Sequence, residues 1–206
     1  MLRKLSIITG FGLLIACSLL LPSYINNPEK GVYLDRAQGQ KAFVLLNKIR
    51  KDPNAYSERY GVSLRNIPPR MPLVWDDSLA AIAEHKALSM AMGGYYGHVD
   101  PQGNGINYYI NKVDSIPADW VLDKKASTLD ALEGGAPSGE MAIKNIVTDQ
   151  AKTNNEGRKV ILCEGDFNSA LTDVGIAYVH GTGSTKYWSY TVVICAPHCR
   201  RVKRLK

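Results

Sequence analysis

The chain has 206 residues, a length suited to one domain of ordinary size. With 45% hydrophobic and 21% charged residues it is not a disordered or fibrous composition, and a domain this long needs no metal or disulfide to stay folded. The net charge of +6 belongs to the ends: without the seven terminal basic residues Arg3, Lys4, Arg200, Arg201, Lys203, Arg204 and Lys206 it becomes −1, so a nucleic-acid-binding face is not expected.

The first 22 residues read as an export signal. Arg3 and Lys4 precede an apolar run from Leu5 to Leu21, and Pro22 closes it. Within the run, Leu14 to Cys17 ("LIAC") resembles the lipobox of bacterial lipoproteins, which makes Cys17 a lipidation candidate. The run is also close to the roughly 18 residues of an uncleaved membrane anchor. Export is the expectation, to the extracellular space or the cell envelope, and cleaved secretion, lipoprotein and anchor stay open. Residues 23–38 then read as a linker, 39–196 as the folded domain and 197–206 as a basic tail, either solvated or touching anionic lipid or cell wall.

From Gly39, the spacing of Phe43, Leu46 and Ile49 predicts a helix, and Pro53 can open a second. The prolines of "NIPPRMPLVW" impose an extended path. The clearest helix follows, with Asp76, Asp77 or Ser78 as its cap. Leu79, Ile82, Ala83, Ala87 and Met90 form its buried stripe, and Gly93-Gly94 its stop. Residues 101–130 read as irregular. Ser138 then caps a helix that buries Met141, Ile143, Ile146 and Val147. Finally "TDVGIAYVH" and "KYWSYTVVICA" alternate around "GTGST", which predicts a hairpin with a five-residue connection. Helices first and an antiparallel pair last indicate an α+β fold.

Few residues are placed to carry chemistry. His98 follows the glycine stop of a helix, where a histidine is most often a surface or capping group. Glu133 sits in a small-residue loop beside Gly134-Gly135, solvated or turned into a cleft. Glu140 is explained by the dipole of the helix it opens. His85 reads as helix surface, and His180 and His198 as solvated strand ends. Cys163 reads as the buried end of an apolar run. Leaving Cys17 aside, Cys163, Cys195 and Cys199 allow one bridge. A zinc site from Cys195, His198 and Cys199 lacks a second ligand cluster. Tyr95, Tyr96, Tyr108 and Tyr109 flank His98 and suit either a contact surface or packing under the loop.

In order, "LLNKIRKDP", "PLVWDDSLAAIAEHKALSMAMGGYYGHVDPQG", "LEGGAPSGE", "EGRKVIL" and "DVGIAYV…YWSYTVV" resemble the CAP superfamily of cysteine-rich secretory, antigen 5 and pathogenesis-related proteins, in its bacterial secreted branch. The resemblance implies an α–β–α sandwich with a small central antiparallel sheet and an extracytoplasmic location. It also implies a cleft where two histidines and two acids can hold a divalent metal. His98 matches the first histidine and Glu133 the first acid, although the family's Gly-Glu-Asn is here Leu132-Glu133-Gly134. The second acid falls near Asp149, with Glu140 as its rival, and Gly157 stands at the second histidine position. The cofactor to expect is at most a weakly held divalent metal such as zinc.

Three functions follow as expectations. The first is a non-enzymatic binding module whose His98, Glu133, Tyr95 and Tyr96 meet a lipid or sterol, a cell-wall component or a protein partner. The second is a hydrolase or peptidase, with His98 as general base or weak metal ligand and Glu133 orienting it. The third is a structural envelope protein associated with the membrane through its N-terminal segment. The balance of the residues leans away from an enzyme.

Overall fold

The computed structural model describes residues 31–112, 116, 118–148 and 155–198. The segment read as an export signal, with Cys17, lies outside them, as do Asp149 and residues 199–206 of the basic tail. No helix among the described residues is long and apolar enough to cross a membrane.

β1 (Tyr33–Leu34) pairs with the strand of Asp173–His180, so the folded unit begins ahead of Gly39, inside the stretch read as linker. α1 (Arg36–Lys51) is capped by Asp35, which accepts from Gln38 N. Asp52 ends α1 and caps α2 (Pro53–Tyr60), whose Pro53 occupies the first turn, where a missing N–H costs nothing. After β2 (Val74–Trp75), Asp76 caps α3 (Asp77–Gly93) by accepting from Leu79 N, and Gly94 ends it in the left-handed conformation at φ 68. The whole expected stripe of α3 is buried.

The stretch read as irregular holds α4 (Ile106–Ile110) and a 3-10 turn at Ala118–Val121. Each is too short to show a period. β3 (Asp130–Gly134) also differs from expectation, because Glu133 stands on a strand and not in a loop. Pairing with a distant partner, not local pattern, makes those five residues extended. In α5 (Gly139–Thr148) Ser138 caps as expected, but Met141 is 37% exposed and Ala142 enters the core instead. α6 (Glu156–Leu162) and α7 (Gly165–Asn168) lead to β4 (Asp173–His180) and β5 (Ser189–Ala196). The hairpin connection runs from 181 to 188, longer than the expected five residues. Gly181 N still donates to Trp188 O at 2.7 Å, and Thr185 Oγ1 accepts from Thr182 N inside the loop.

The sheet order is β1-β4-β5-β3, antiparallel throughout except for β2, which pairs with β4 in parallel. β2 and β1 share one margin of β4, at residues 173–174 and 179–180. Between them the first turn of α1 presses in so closely that a Cβ on Gly39 would stand 3.0 Å from Ile176 O. α3 packs against β4 and β5, while α1, α5 and α6 pack together and α5 and α6 lie against β3. The result is the α–β–α sandwich of an α+β fold.

Candidate functional site

β3 organises the site. Its register, Asp130 opposite Ile194 through Gly134 opposite Tyr190, fixes which side chains share a face. Side chains alternate along a strand, so 130, 132 and 134 project one way and 131 and 133 the other.

Asp130 meets His98 on the α3 side. Oδ1 of Asp130 lies 3.1 Å from Nδ1 of His98, with the carboxylate fully buried and the imidazole 47% exposed. The segment carrying His98 is held from three directions. The buried Lys86 Nζ donates to His98 O at 3.0 Å, and Ser127 Oγ donates to the same carbonyl at 3.1 Å. Beyond it, Asp100 accepts from Gln102 N, from Asn104 N and Nδ2, and from Tyr109 Oη at 2.6 Å. Burial pulls the Lys86 ammonium below its ordinary pKa, and the charges of Asp130 and Asp100 oppose that. The second oxygen of Asp130, Oδ2, is buried without a partner among the described residues.

Glu133 points to the α5 side. Oε1 accepts from Asn145 Nδ2 at 2.9 Å and Oε2 from Ala136 N at 3.1 Å. It lines a hollow of about 410 Å³ over the end of β3, together with Tyr96, Leu132, Gly134, Asn145, Ile146, Thr148 and Tyr187. The rings of Tyr96 and Tyr187 meet edge to face, 4.9 Å apart. They close over bare backbone: a Cβ on Gly134 would lie 2.8 Å from Tyr187 Cδ2 and 3.0 Å from Tyr96 Cε2. Trp188, 63% exposed, stands beside Gly135.

His98 does not line that hollow, and the carboxylate that holds it is Asp130, not Glu133. Tyr96 belongs to the hollow. Tyr95 instead packs on α3, its hydroxyl 3.0 Å from Ser89 Oγ and its ring beside Lys86 Nζ. Glu140 lies exposed in the first turn of α5. Gly157 is where α6 rests on β3, since a Cβ there would stand 3.3 Å from Ala131 Cβ and from Ile146 Cγ2.

Of the other histidines, His85 and His180 are less exposed to water than expected, and His198 is exposed as expected. His85 is half-buried against Tyr109, and burial lowers its pKa, with Lys112 and Lys86 adding to the effect. His180 stacks on Tyr33 and pairs with Asp35 at 3.2 Å. His198 pairs through Nδ1 with Asp173 at 2.5 Å, Cys195 is buried, and Cys199 of the zinc trio lies outside the described residues. Sequence reasoning missed Asp130, Lys86, Asn145 and Tyr187. Asp130 three residues ahead of Glu133 was the one visible signal, and only a strand assignment gives it meaning.

These features define a three-layer α–β–α domain with an aromatic-walled pocket at one end of its sheet. The sequence pattern described as CAP, Cysteine-rich secretory protein family, matches residues 45–196, well over half of the chain, and the chain belongs to that family. No curated protein matches it. Among solved structures it is similar to an extracellular protein containing an SCP domain from Bacillus anthracis str. Ames, at 18% identity and a TM-score of 0.42. That similarity covers 79% of this chain and 41% of the other.

The resemblance to CAP proteins implies a metal in the cleft, and the described donors do not fit one. His98 and Glu133 are tied into separate polar clusters on opposite faces of β3. Gly157 offers no donor, and its Cβ direction is already filled by packing. Among the described residues no three His, Cys, Asp or Glu side chains stand close enough to share an ion, where zinc takes three or four protein ligands.

Proposed function

We propose that this CAP-domain chain is an exported, non-enzymatic binding module, with a ligand seated against Tyr96, Glu133 and Tyr187. The candidate ligands are a lipid or sterol, a cell-wall component, or a protein partner. One observation carries the reading. The groups that would form a reactive centre are dispersed, His98 to Asp130 and Glu133 to Asn145, while an aromatic-walled hollow of about 410 Å³ stands beside them. That size lies within the range of small-ligand sites, roughly 300–1,000 Å³. The basic start and apolar run of residues 3–21 support export.

The test is calorimetric titration of Zn²⁺ into the wild type, His98→Ala and Glu133→Ala, beside a screen of ester and peptide substrates. The expected result is no heat beyond dilution and no turnover. Micromolar Zn²⁺ binding lost in both variants, or turnover lost in either, would reverse the reading.

A second reading, hydrolysis with His98 as general base, is favoured by its contact with the fully buried Asp130. A carboxylate that fixes one ring nitrogen leaves the other free to exchange a proton with water or substrate. It requires substrate turnover that falls at least about a hundredfold in His98→Ala.

A further inference from the structure

We propose that the hollow over the end of β3 recognises a primary ammonium group on an aliphatic stem, such as a lysine side chain of a peptide or protein partner. The inference rests on the binding-module reading and names the chemistry of its ligand. Glu133 supplies the charge. Each of its oxygens accepts one neutral N–H, from Asn145 and from Ala136, and a carboxylate has about four acceptor positions, so capacity remains. No cation among the described residues pairs with it. The nearby Lys186 leans on the ring of Tyr187 at 5.7 Å, and Lys144 on Tyr60 at 5.5 Å.

The walls suit the stem. Tyr96 and Tyr187 line the hollow, where aromatic rings can attract a cation and pack against methylenes, and Ile146 adds an apolar side chain. The ammonium's three N–H donors call for an acceptor-rich end opposite an apolar wall, and this hollow has both. The charge also discriminates. An anionic ligand would meet Glu133 as a like charge. A sterol or acyl chain would strip water from the carboxylate without replacing it, the costly case for any buried ion.

Titration of the purified full-length protein, followed by NMR, tests this with three probes: Nα-acetyl-lysine amide, its neutral isostere Nα-acetyl-norleucine amide, and Nα-acetyl-glutamate amide. The lysine probe is expected to saturate shifts at Tyr96, Asn145 and Tyr187, with affinity at least about tenfold above the other two. Glu133→Gln is expected to remove that preference while its melting temperature stays near wild type. Should Glu133→Gln not fold, the wild type decides, because affinity for a charged probe must fall as salt screens the pair.

Equal binding of the norleucine probe, no shift with the lysine probe, or an affinity indifferent to both salt and Glu133→Gln would overturn the inference and leave the binding-module reading standing. Ester turnover abolished in His98→Ala would overturn the reading beneath it.

Discussion

Asp130 and Glu133 stand three residues apart on one strand and project to opposite faces of the sheet, the first onto His98 and the second onto Asn145. Two acids that look like neighbours in the sequence therefore serve separate polar clusters. His98 and Glu133, which the resemblance to CAP proteins would place in one cleft, each have a partner of their own.

The His98–Asp130 contact predicts unequal costs for its two halves. Asp130→Ala removes the buried acceptor and also one of the acids facing the buried Lys86. It is expected to cost about 2–3 kcal/mol in urea unfolding. His98→Ala truncates a half-exposed ring and is expected to cost under about 1 kcal/mol. Equal losses would mean that burial of the acid is not what holds the pair.

Asp100 predicts an acid-dependent effect. Burial alone would raise its pKa, but the bonds from Tyr109, Asn104 and Gln102 outweigh that and hold it below the ordinary 3.8. A carboxyl lowered on folding stabilises above its unfolded pKa, and that contribution is lost as pH falls through the folded value. Asp100→Asn is expected to cost about 1–3 kcal/mol at neutral pH, with the gap to wild type closing below 3.8. Urea unfolding at neutral and acid pH measures both.

Gly157 is the position at which a CAP protein's second histidine is expected. Gly157→His forces a side chain into the contact with Ala131 and Ile146. It is expected to lower stability by about 1–3 kcal/mol without creating Zn²⁺ affinity, since His98 and Glu133 stay with their own partners. A calorimetric Zn²⁺ isotherm that appears only in Gly157→His would contradict this.

Arg50 is a buried fork, 4% exposed, at the end of α1. Nη1 donates to Ile161 O and to Cys163 Sγ at 2.8 Å, and Nη2 to Met71 O. Burial pushes the Cys163 thiol up, and the charges of Arg50 and Arg70 oppose that. A lysine has a single nitrogen and cannot reproduce contacts made from the two separate nitrogens of the guanidinium fork. Arg50→Lys is expected to cost about 2–3 kcal/mol in thermal or urea unfolding.

Where the chain carries its own local instructions, the fold was legible. Asp76 and Gly94 bracket α3, Ser138 opens α5, and the alternation of β4 and β5 announces a hairpin. β3 was hidden because its five residues end in glycine and become a strand only through Val192 and its neighbours. The site followed the same division. His98 and Glu133 could be picked out as residue types in a family pattern. Their partners depend on register and on helix placement, which bring Asp130 to one and Asn145 to the other across gaps of 32 and 12 residues.

The outer margin of β4 has a consequence for how the molecule behaves in company. Two-residue strands cover its ends, and the first turn of α1 fills the interval beside Ile176. A long central strand would otherwise offer a ladder of unmet N–H and C=O groups to any other extended chain. Fragments too brief to stand alone thus act as bumpers against strand-to-strand clumping, protection most needed when many copies fold side by side.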